Sequence, residues 1–176
     1  MTANILVILA HPDLSKSKNN AALKEAVAGL PNVTVHELYK QYPDGKINVA
    51  HEQMLLQKAD VVVLQFPFYW YSSPPLLKAW EDQVLAYGFA YGDKYLLEGK
   101  QLLVAITTYG PADAYQPGGF NNFTLDTLLT PFHQTANFCK MKFAPHFAIN
   151  DVSKLTGEQL AAKASEYHKL LRDWKN

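Results

Sequence analysis

Ile5-Leu6-Val7-Ile8-Leu9 is apolar at every position. A strand covered on both faces reads that way, so Asn4 to Ala10 is expected to be the central strand of a parallel sheet. After a polar loop from His11 to Lys18, apolar residues recur at Ala22, Leu23, Ala26 and Val27. That spacing predicts a helix running to about Gly29, with Asn19 or Asn20 as its cap. Val33 to Leu38 partly alternates and predicts a second strand, Ala50 to Lys58 a helix, and Val61 to Gln65 a third strand. Pro75 opens the next helix, where a missing N–H costs nothing, and Leu76, Leu77, Trp80, Val84 and Leu85 form its inner side. Leu102 to Thr107 predicts a fourth strand, and Phe123 to Phe138 a helix interrupted near Pro131. Lys142 to Ile149 predicts a fifth strand, placed at an edge by Pro145. Thr156 to Trp174 predicts the last helix, with Leu160, Ala164, Tyr167, Leu170 and Leu171 turned inward.

Strands that alternate with helices imply right-handed crossovers and an α/β fold, with helices on both faces of a parallel sheet. Five strands in one domain spanning residues 1–176 favour a three-layer α/β/α architecture in the flavodoxin-like order 2-1-3-4-5. In such sheets ligands gather beyond the carboxyl ends of the strands flanking the point where the order reverses. Strands one, three and four are therefore expected to feed the site.

Composition narrows the function. Apolar residues make up 48% and charged residues 18%, which describes a globular chain. Sixteen basic residues balance sixteen acidic ones, leaving no field for nucleic acid or an anionic membrane surface and little self-repulsion against a homo-oligomer. The lone Cys139 excludes an internal disulfide and a CxxC motif. The apolar run at Ile5 to Ala10 is too short for a signal-peptide core, and no segment approaches bilayer length. A cytoplasmic location is the expectation.

Each of the three strand ends leads into an unusual loop. The first, His11-Pro12-Asp13-Leu14-Ser15-Lys16-Ser17-Lys18-Asn19-Asn20, runs straight into a helix. Free N–H groups at that helix start favour an anion, and His11, Ser15, Ser17, Asn19 and Asn20 add donors for a phosphate. Ordinary helix capping is the competing explanation. The loop has neither GxxxxGK[ST] nor GxGxxG. The second carries four adjacent aromatics, Phe68, Tyr69, Trp70 and Tyr71, followed by Ser72-Ser73-Pro74-Pro75. An aromatic row on a loop suits a flat cofactor; burial under a neighbouring helix is the alternative. The third, Thr107-Thr108-Tyr109-Gly110-Pro111, offers hydroxyls and a glycine that permits close backbone approach, and Tyr115 follows it. No His spacing suits zinc, so no metal is expected, and no GxSxG elbow is present. Glu81 and Asp82 are adjacent on a helix and point in different directions.

At these residues the chain resembles the flavodoxin-fold NAD(P)H dehydrogenase (quinone) family. Within it the resemblance is to the ancillary flavoproteins of glutathione-regulated potassium-efflux systems. It runs through Ile8-Leu9-Ala10-His11-Pro12, Tyr42-Pro43-Asp44, Trp70-Tyr71-Ser72, Pro74-Pro75-Leu76-Leu77-Lys78, Trp80, Phe89-Ala90-Tyr91-Gly92 and Thr107-Thr108, nearly the full length.

The resemblance implies a tightly held flavin (FMN, with FAD as the alternative), two-electron reduction by NAD(P)H, a quinone-like acceptor and a homodimer. It assigns His11, Ser17, Lys18, Asn19 and Asn20 to the flavin phosphate. Phe68 to Tyr71 fall along the flavin ring, and Thr107, Thr108, Tyr109 and Gly110 at its other edge. Tyr91 is given to a substrate pocket shared with the neighbouring subunit, and Tyr115 to the pyrimidine ring as a helper in stabilising charge. Tyr109 replaces a usual glycine, and Gly119-Phe120-Asn121 stand where larger members carry a histidine. The implied reaction is ping-pong, with nicotinamide and quinone using one flavin face in turn. The alternative reading is a regulatory flavin-binding subunit that docks on a membrane potassium-efflux protein, peripheral to the inner membrane face.

Overall fold

The computed structural model describes residues 2–175. Its parallel strands are β1 (Ile5–Leu9), β2 (Val33–Glu37), β3 (Val61–Pro67), β4 (Gln101–Thr107), β5 (Lys142–Phe143) and β6 (Phe147–Ile149). The sheet order is β2-β1-β3-β4-β5, and β6 also pairs with β4, so the flavodoxin-like order expected from the alternation is the observed one. Register brings the polar rim residues level. Leu9 pairs with Gln65, Gln65 with Ala105, and Pro67 with Thr107.

The expected strand from Lys142 to Ile149 is two short strands. Lys142 pairs with Gln101 and Phe147 with Ala105, while residues 144–146 leave the ladder. Pro145 has no N–H to donate and cannot sit in a continuous ladder.

Among the described residues seven α-helices accompany the sheet: α1 (Lys18–Val27), α2 (Leu38–Gln41), α3 (Val49–Lys58), α4 (Pro75–Val84), α5 (Leu125–Leu128), α6 (Thr130–Phe138) and α7 (Gly157–Arg172). One face of the sheet, through Leu6, Ile8, Leu64, Phe66 and Val104, packs with Leu56, Trp80 and Phe132 of α3, α4 and α6. The other, through Ile5, Val7, Val63 and Leu103, packs with Leu23, Val27, Tyr167 and Leu171 of α1 and α7. Because successive strand residues point to opposite faces, the unbroken apolar runs supply both layers at once.

Two further expectations are corrected, and the interruption expected near Pro131 is found. Ser17 caps α1, accepting from Asn20 N–H, whereas Asn19 and Asn20 lie inside the helix. Chain 123–138 divides into α5 and α6, with Leu129 between them and Pro131 in the first turn of α6. Leu170 is exposed on α7, since Tyr167 and Leu171 already fill the inner stripe. The capping box of α7 is built by Thr156 and Gln159.

Candidate functional site

A groove of about 500 Å³ opens at the carboxyl ends of β1, β3 and β4. His11, Lys16, Ser17, Lys18 and Asn19 wall one end, Phe68 and Tyr69 one side, and Thr107 and Tyr109 another. The three sequence-predicted loops therefore meet at one place. At the α1 end the N–H groups of Lys18 and Asn19 have no intrahelical partner, as at any helix start. Lys18 adds positive charge, Lys16 is paired with Asp13 at 2.8 Å, and no Asp or Glu among the described residues lines the groove. His11 Nδ1 accepts from Asp13 N–H at 3.1 Å, and burial holds its imidazole below the ordinary histidine pKa, keeping it neutral. An anion is the ligand this end is built to take.

Asn20 differs from its neighbours. It is fully buried, and its Nδ2 donates to Thr107 Oγ1 at 3.1 Å and to Ser17 Oγ at 3.3 Å. Gln65 Nε2 donates to the Asn20 carbonyl at 3.1 Å, and Tyr167 OH donates to Gln65 Oε1 at 3.1 Å. This chain of buried bonds joins α1, β3, β4 and α7 directly beneath the loop. The Asn20 side chain holds the groove's floor and faces protein on every side.

The aromatic loop is wound unusually. Trp70 and Tyr71 both take left-handed backbone conformations, with φ of 48° and 62°. Such positions are uncommon for bulky residues and cost of order 1 kcal/mol each. The winding has a use. Phe68 N–H is spent on Thr107 O, Tyr69 N–H on Pro67 O and Ser72 N–H on Tyr69 O. The N–H groups of Trp70 and Tyr71 take no part in the backbone bonds of the described residues. Two adjacent donors are thus without a backbone acceptor, beside an indole that is 92% exposed.

Thr107 and Thr108 are buried, and the Thr108 hydroxyl lies 2.9 Å from Gly110 O and 2.8 Å from Asn150 Oδ1. Tyr109 is exposed and is not among the residues with positive φ, so it replaces glycine without backbone strain. At Gly110 a β-carbon would lie 3.1 Å from Asn121 Nδ2 and 3.3 Å from Tyr115 Oη. The glycine lets those two side chains close over the backbone.

A fourth crossing escapes sequence reasoning. Val152, Ser153, Leu155 and Leu160 also line the groove, tied in by Asp151 N–H to Gly110 O at 3.0 Å and Val152 N–H to Thr108 O at 3.2 Å. The switch-point rule singles out strands one, three and four, and residues 150–156 follow the edge strand. The one signal available was the capping box at Thr156, which fixes where that segment must turn.

Tyr91 stands apart from this groove. It lines a second cavity, about 540 Å³, between α4 and α6 with Ser72, Ser73, Glu81 and Phe138, sharing only the far side of the aromatic loop. Its ring lies 5.1 Å from that of Phe138. Glu81 is the charged oddity there. Lys78 pairs with Asp82, one residue on, and burial, opposed by Lys78 and assisted by Asp82, pushes Glu81 up to about 7. A carboxyl that holds its proton more tightly when folded loses stability as pH rises between the ordinary glutamate value and 7. Glu81→Gln is therefore expected to stabilise the protein by about 1–2 kcal/mol at pH 8 and to change nothing at pH 4. Urea titrations at the two pH values check this; equal shifts at both would contradict it.

Cys139 is buried, and burial raises its thiol pKa, which leaves it inert. No cluster of three or more His, Cys, Asp or Glu among the described residues could hold a metal. No helix among them is long and apolar enough to cross a membrane.

A family model described as "Flavodoxin-like fold" matches residues 3–171. The glutathione-regulated potassium-efflux system ancillary protein KefG of Cronobacter sakazakii (strain ATCC BAA-894) is 43% identical over 173 residues, covering 98% of this chain and 94% of that protein. The general stress protein 14 of Treponema denticola, solved in complex with FMN, superposes with a TM-score of 0.93 at 39% identity, covering 97% of this chain and 98% of that one. An NADPH-quinone reductase from P. pentosaceus superposes with a TM-score of 0.91 at 35% identity, covering 99% and 100%. With strand order, switch-point groove and near-complete matches in agreement, this chain belongs to the flavodoxin-like-fold family.

Proposed function

We propose that the chain is an FMN-dependent NAD(P)H:quinone oxidoreductase, working as one domain and pairing as a homodimer. The observation that carries this is the groove itself. A cationic helix start walls one end of the slot and Phe68 and Tyr69 of the aromatic loop wall its side, next in the chain to the left-handed residues Trp70 and Tyr71. A phosphorylated flat ring is the ligand that uses both. The solved relative with FMN supports the choice of cofactor, and the NADPH-quinone reductase supports the reaction class.

In this reading Lys18 and Asn19 N–H, Ser17 and the Lys18 ammonium group hold the phosphate. Neutral His11 closes that end. Phe68, Tyr69 and Trp70 lie along the ring, and Thr107, Tyr109 and Gly110 close its other edge. Bound there, flavin supplies hydride acceptance from nicotinamide and hydride return to a quinone. The N–H groups of Trp70 and Tyr71, with Tyr115 as helper, would donate to the ring where negative charge develops on reduction, and such donors stabilise that charge. Nicotinamide and quinone take turns over one exposed face, which gives ping-pong kinetics. Tyr91 and Phe138, away from their own groove, serve the partner subunit's acceptor pocket.

The purified protein is expected to be yellow, to release FMN on denaturation, and to consume NADH or NADPH steadily when a quinone is supplied. A protein that stays colourless in excess FMN and FAD would end the reading. Trp70→Ala is expected to weaken FMN retention about tenfold or more, in line with the 1–3 kcal/mol typical of aromatic stacking on a heterocycle. Trp174→Ala should leave retention unchanged, and equal retention in both variants would move the ring elsewhere.

The KefG relative, matched over 98% of this chain, favours a second role: docking on a membrane potassium-efflux protein. Co-purification with such a transporter tests it independently of turnover.

A further inference from the structure

The aromatic loop runs out through Ser72-Ser73-Pro74-Pro75 into α4, and the two prolines change how that helix begins. Pro74 stands at the cap position and has no side-chain oxygen to offer the first turn. Pro75, the first helical residue, has no N–H. Leu77 and Lys78 N–H reach back to Pro74 O at 3.0 and 3.3 Å. That leaves Leu76 N–H, and it donates to Tyr39 OH at 3.2 Å. From Ser72 to Leu77 this is the one hydrogen bond among the described residues that leaves the loop and its own helix. Ser73 Oγ, in the same stretch, is buried and has no partner among the described residues.

Tyr39 is well fixed to hold that donor. It belongs to α2, a single turn whose Leu38 is fully buried, and its ring packs against the same core cluster as Leu76, Leu77 and Trp80. Three residues on, Tyr42 OH donates to Glu52, whose other oxygen takes Trp80 Nε1 of α4 at 2.7 Å. The short helix and α4 are thus joined at two points. Tyr39 also lines, with His11 and Leu14, a small cavity of about 220 Å³, and His11 walls both that cavity and the groove.

The bond acts on a strained segment. Left-handed Trp70 and Tyr71 persist only where the surrounding chain over-determines them. On the incoming side Phe68 N–H is fixed to Thr107 O at 2.9 Å. On the outgoing side the prolines lock their own φ, so the limb has little slack. A shift at Leu76 is therefore passed back to Tyr71.

We propose that Tyr39 is a positioning residue for the flavin site: its hydroxyl, by holding Leu76 N–H, fixes the outgoing end of the aromatic loop and keeps the Trp70–Tyr71 turn in the conformation that receives the ring. The proposal rests on the flavin assignment and names a residue outside the groove on which that site depends. Without the hydroxyl the turn relaxes in the free protein, and FMN must restore the winding as it binds. Affinity then falls by the fraction of molecules that are still wound.

Capping and positioning come apart when α4 is given a cap of its own. Pro74→Ser places a hydroxyl at the cap position, where it accepts from the first-turn N–H groups without any link to α2, and leaves Pro75 in place. Thermal midpoints of the full-length protein without flavin, and FMN dissociation constants, are measured for wild type, Tyr39→Phe, Pro74→Ser and the double variant. Tyr39→Phe keeps the ring in the core and is expected to lower the midpoint by about 2–4 °C, as loss of a helix cap does in a domain of this size. It is also expected to weaken FMN binding about tenfold. In the double variant the midpoint recovers, but the affinity stays about tenfold below that of Pro74→Ser alone.

Recovery of both in the double variant would make Tyr39 a cap and nothing more, and would overturn the proposal. So would a Tyr39→Phe protein that binds FMN as tightly as wild type. If Tyr39→Phe fails to fold, the double variant set against Pro74→Ser still decides, because α4 is capped in both. Wild type that takes up no flavin overturns the functional assignment and this inference with it; wild type that binds FMN beside an unweakened Tyr39→Phe overturns only this inference.

Discussion

Glu52→Ala is expected to destabilise the protein by about 3–5 kcal/mol, the usual result of leaving buried polar partners without their charge. Glu52 is on α3 and fully buried, yet each carboxylate oxygen is occupied. Tyr42 OH donates to Oε1 at 2.5 Å and Trp80 Nε1 to Oε2 at 2.7 Å. His36 Nε2 lies 2.9 Å from Oε1. The cluster pins α3 to β2, to the α2 end and to α4, whose first turn follows the aromatic loop.

Burial alone would raise the Glu52 pKa, but the contacts from His36, Tyr42 and Trp80 outweigh it and hold the carboxyl below the ordinary glutamate range. A depressed folded pKa gives stability that is present above the unfolded value and lost as pH falls through the folded one. Wild type should therefore weaken in acid, below about pH 4.5, more steeply than Glu52→Gln does. This is the opposite limb from Glu81, whose effect appears between the ordinary glutamate value and pH 7. Urea midpoints across pH 3 to 8 separate the two, and a Glu52→Ala loss under about 1 kcal/mol would mean that the cluster is replaceable by water.

Asn20→Ala is the second large expectation. It removes the donor to Thr107 and Ser17 and the side-chain acceptor of Gln65, all inside the buried bond chain that ends on Tyr167. Each buried polar group left unmet costs about 1–3 kcal/mol, so a loss of roughly 2–4 kcal/mol is expected. FMN retention should fall with it, because the α1 start loses its seat. Adding excess FMN should then restore part of the lost thermal stability, since a ligand that binds only the folded form stabilises it by mass action. Unchanged retention would separate the floor from the phosphate loop above it.

The layers of the fold were legible because the apolar runs at Ile5–Leu9 and Val61–Leu64 admit one environment, a sheet covered twice. The site's position followed from strand order and the switch-point rule. Side-chain roles were less legible. Asn20 and Asn19 are neighbours of one chemical type, and 100° of helical turn sends one into the floor and leaves the other at the groove. Loop 150–156 follows the edge strand, and its one local signal, the capping box at Thr156, marks a turn and not a lining. The bond between Tyr39 and Leu76 joins residues of different elements, which periodicity cannot report. The left-handed turn at Trp70 and Tyr71 contradicts local preference, and such contradictions gather where function demands a geometry.

The interruption at 144–146 also bears on self-association. An uninterrupted outer strand would present a row of unpaired amides and carbonyls able to recruit a strand from another molecule. Here that margin is cut into pieces of two and three residues with proline between them. The sheet accordingly offers one recruitable border, along β2, where Lys24 ties down Glu37. Fibrillar association on prolonged warming should begin on that border.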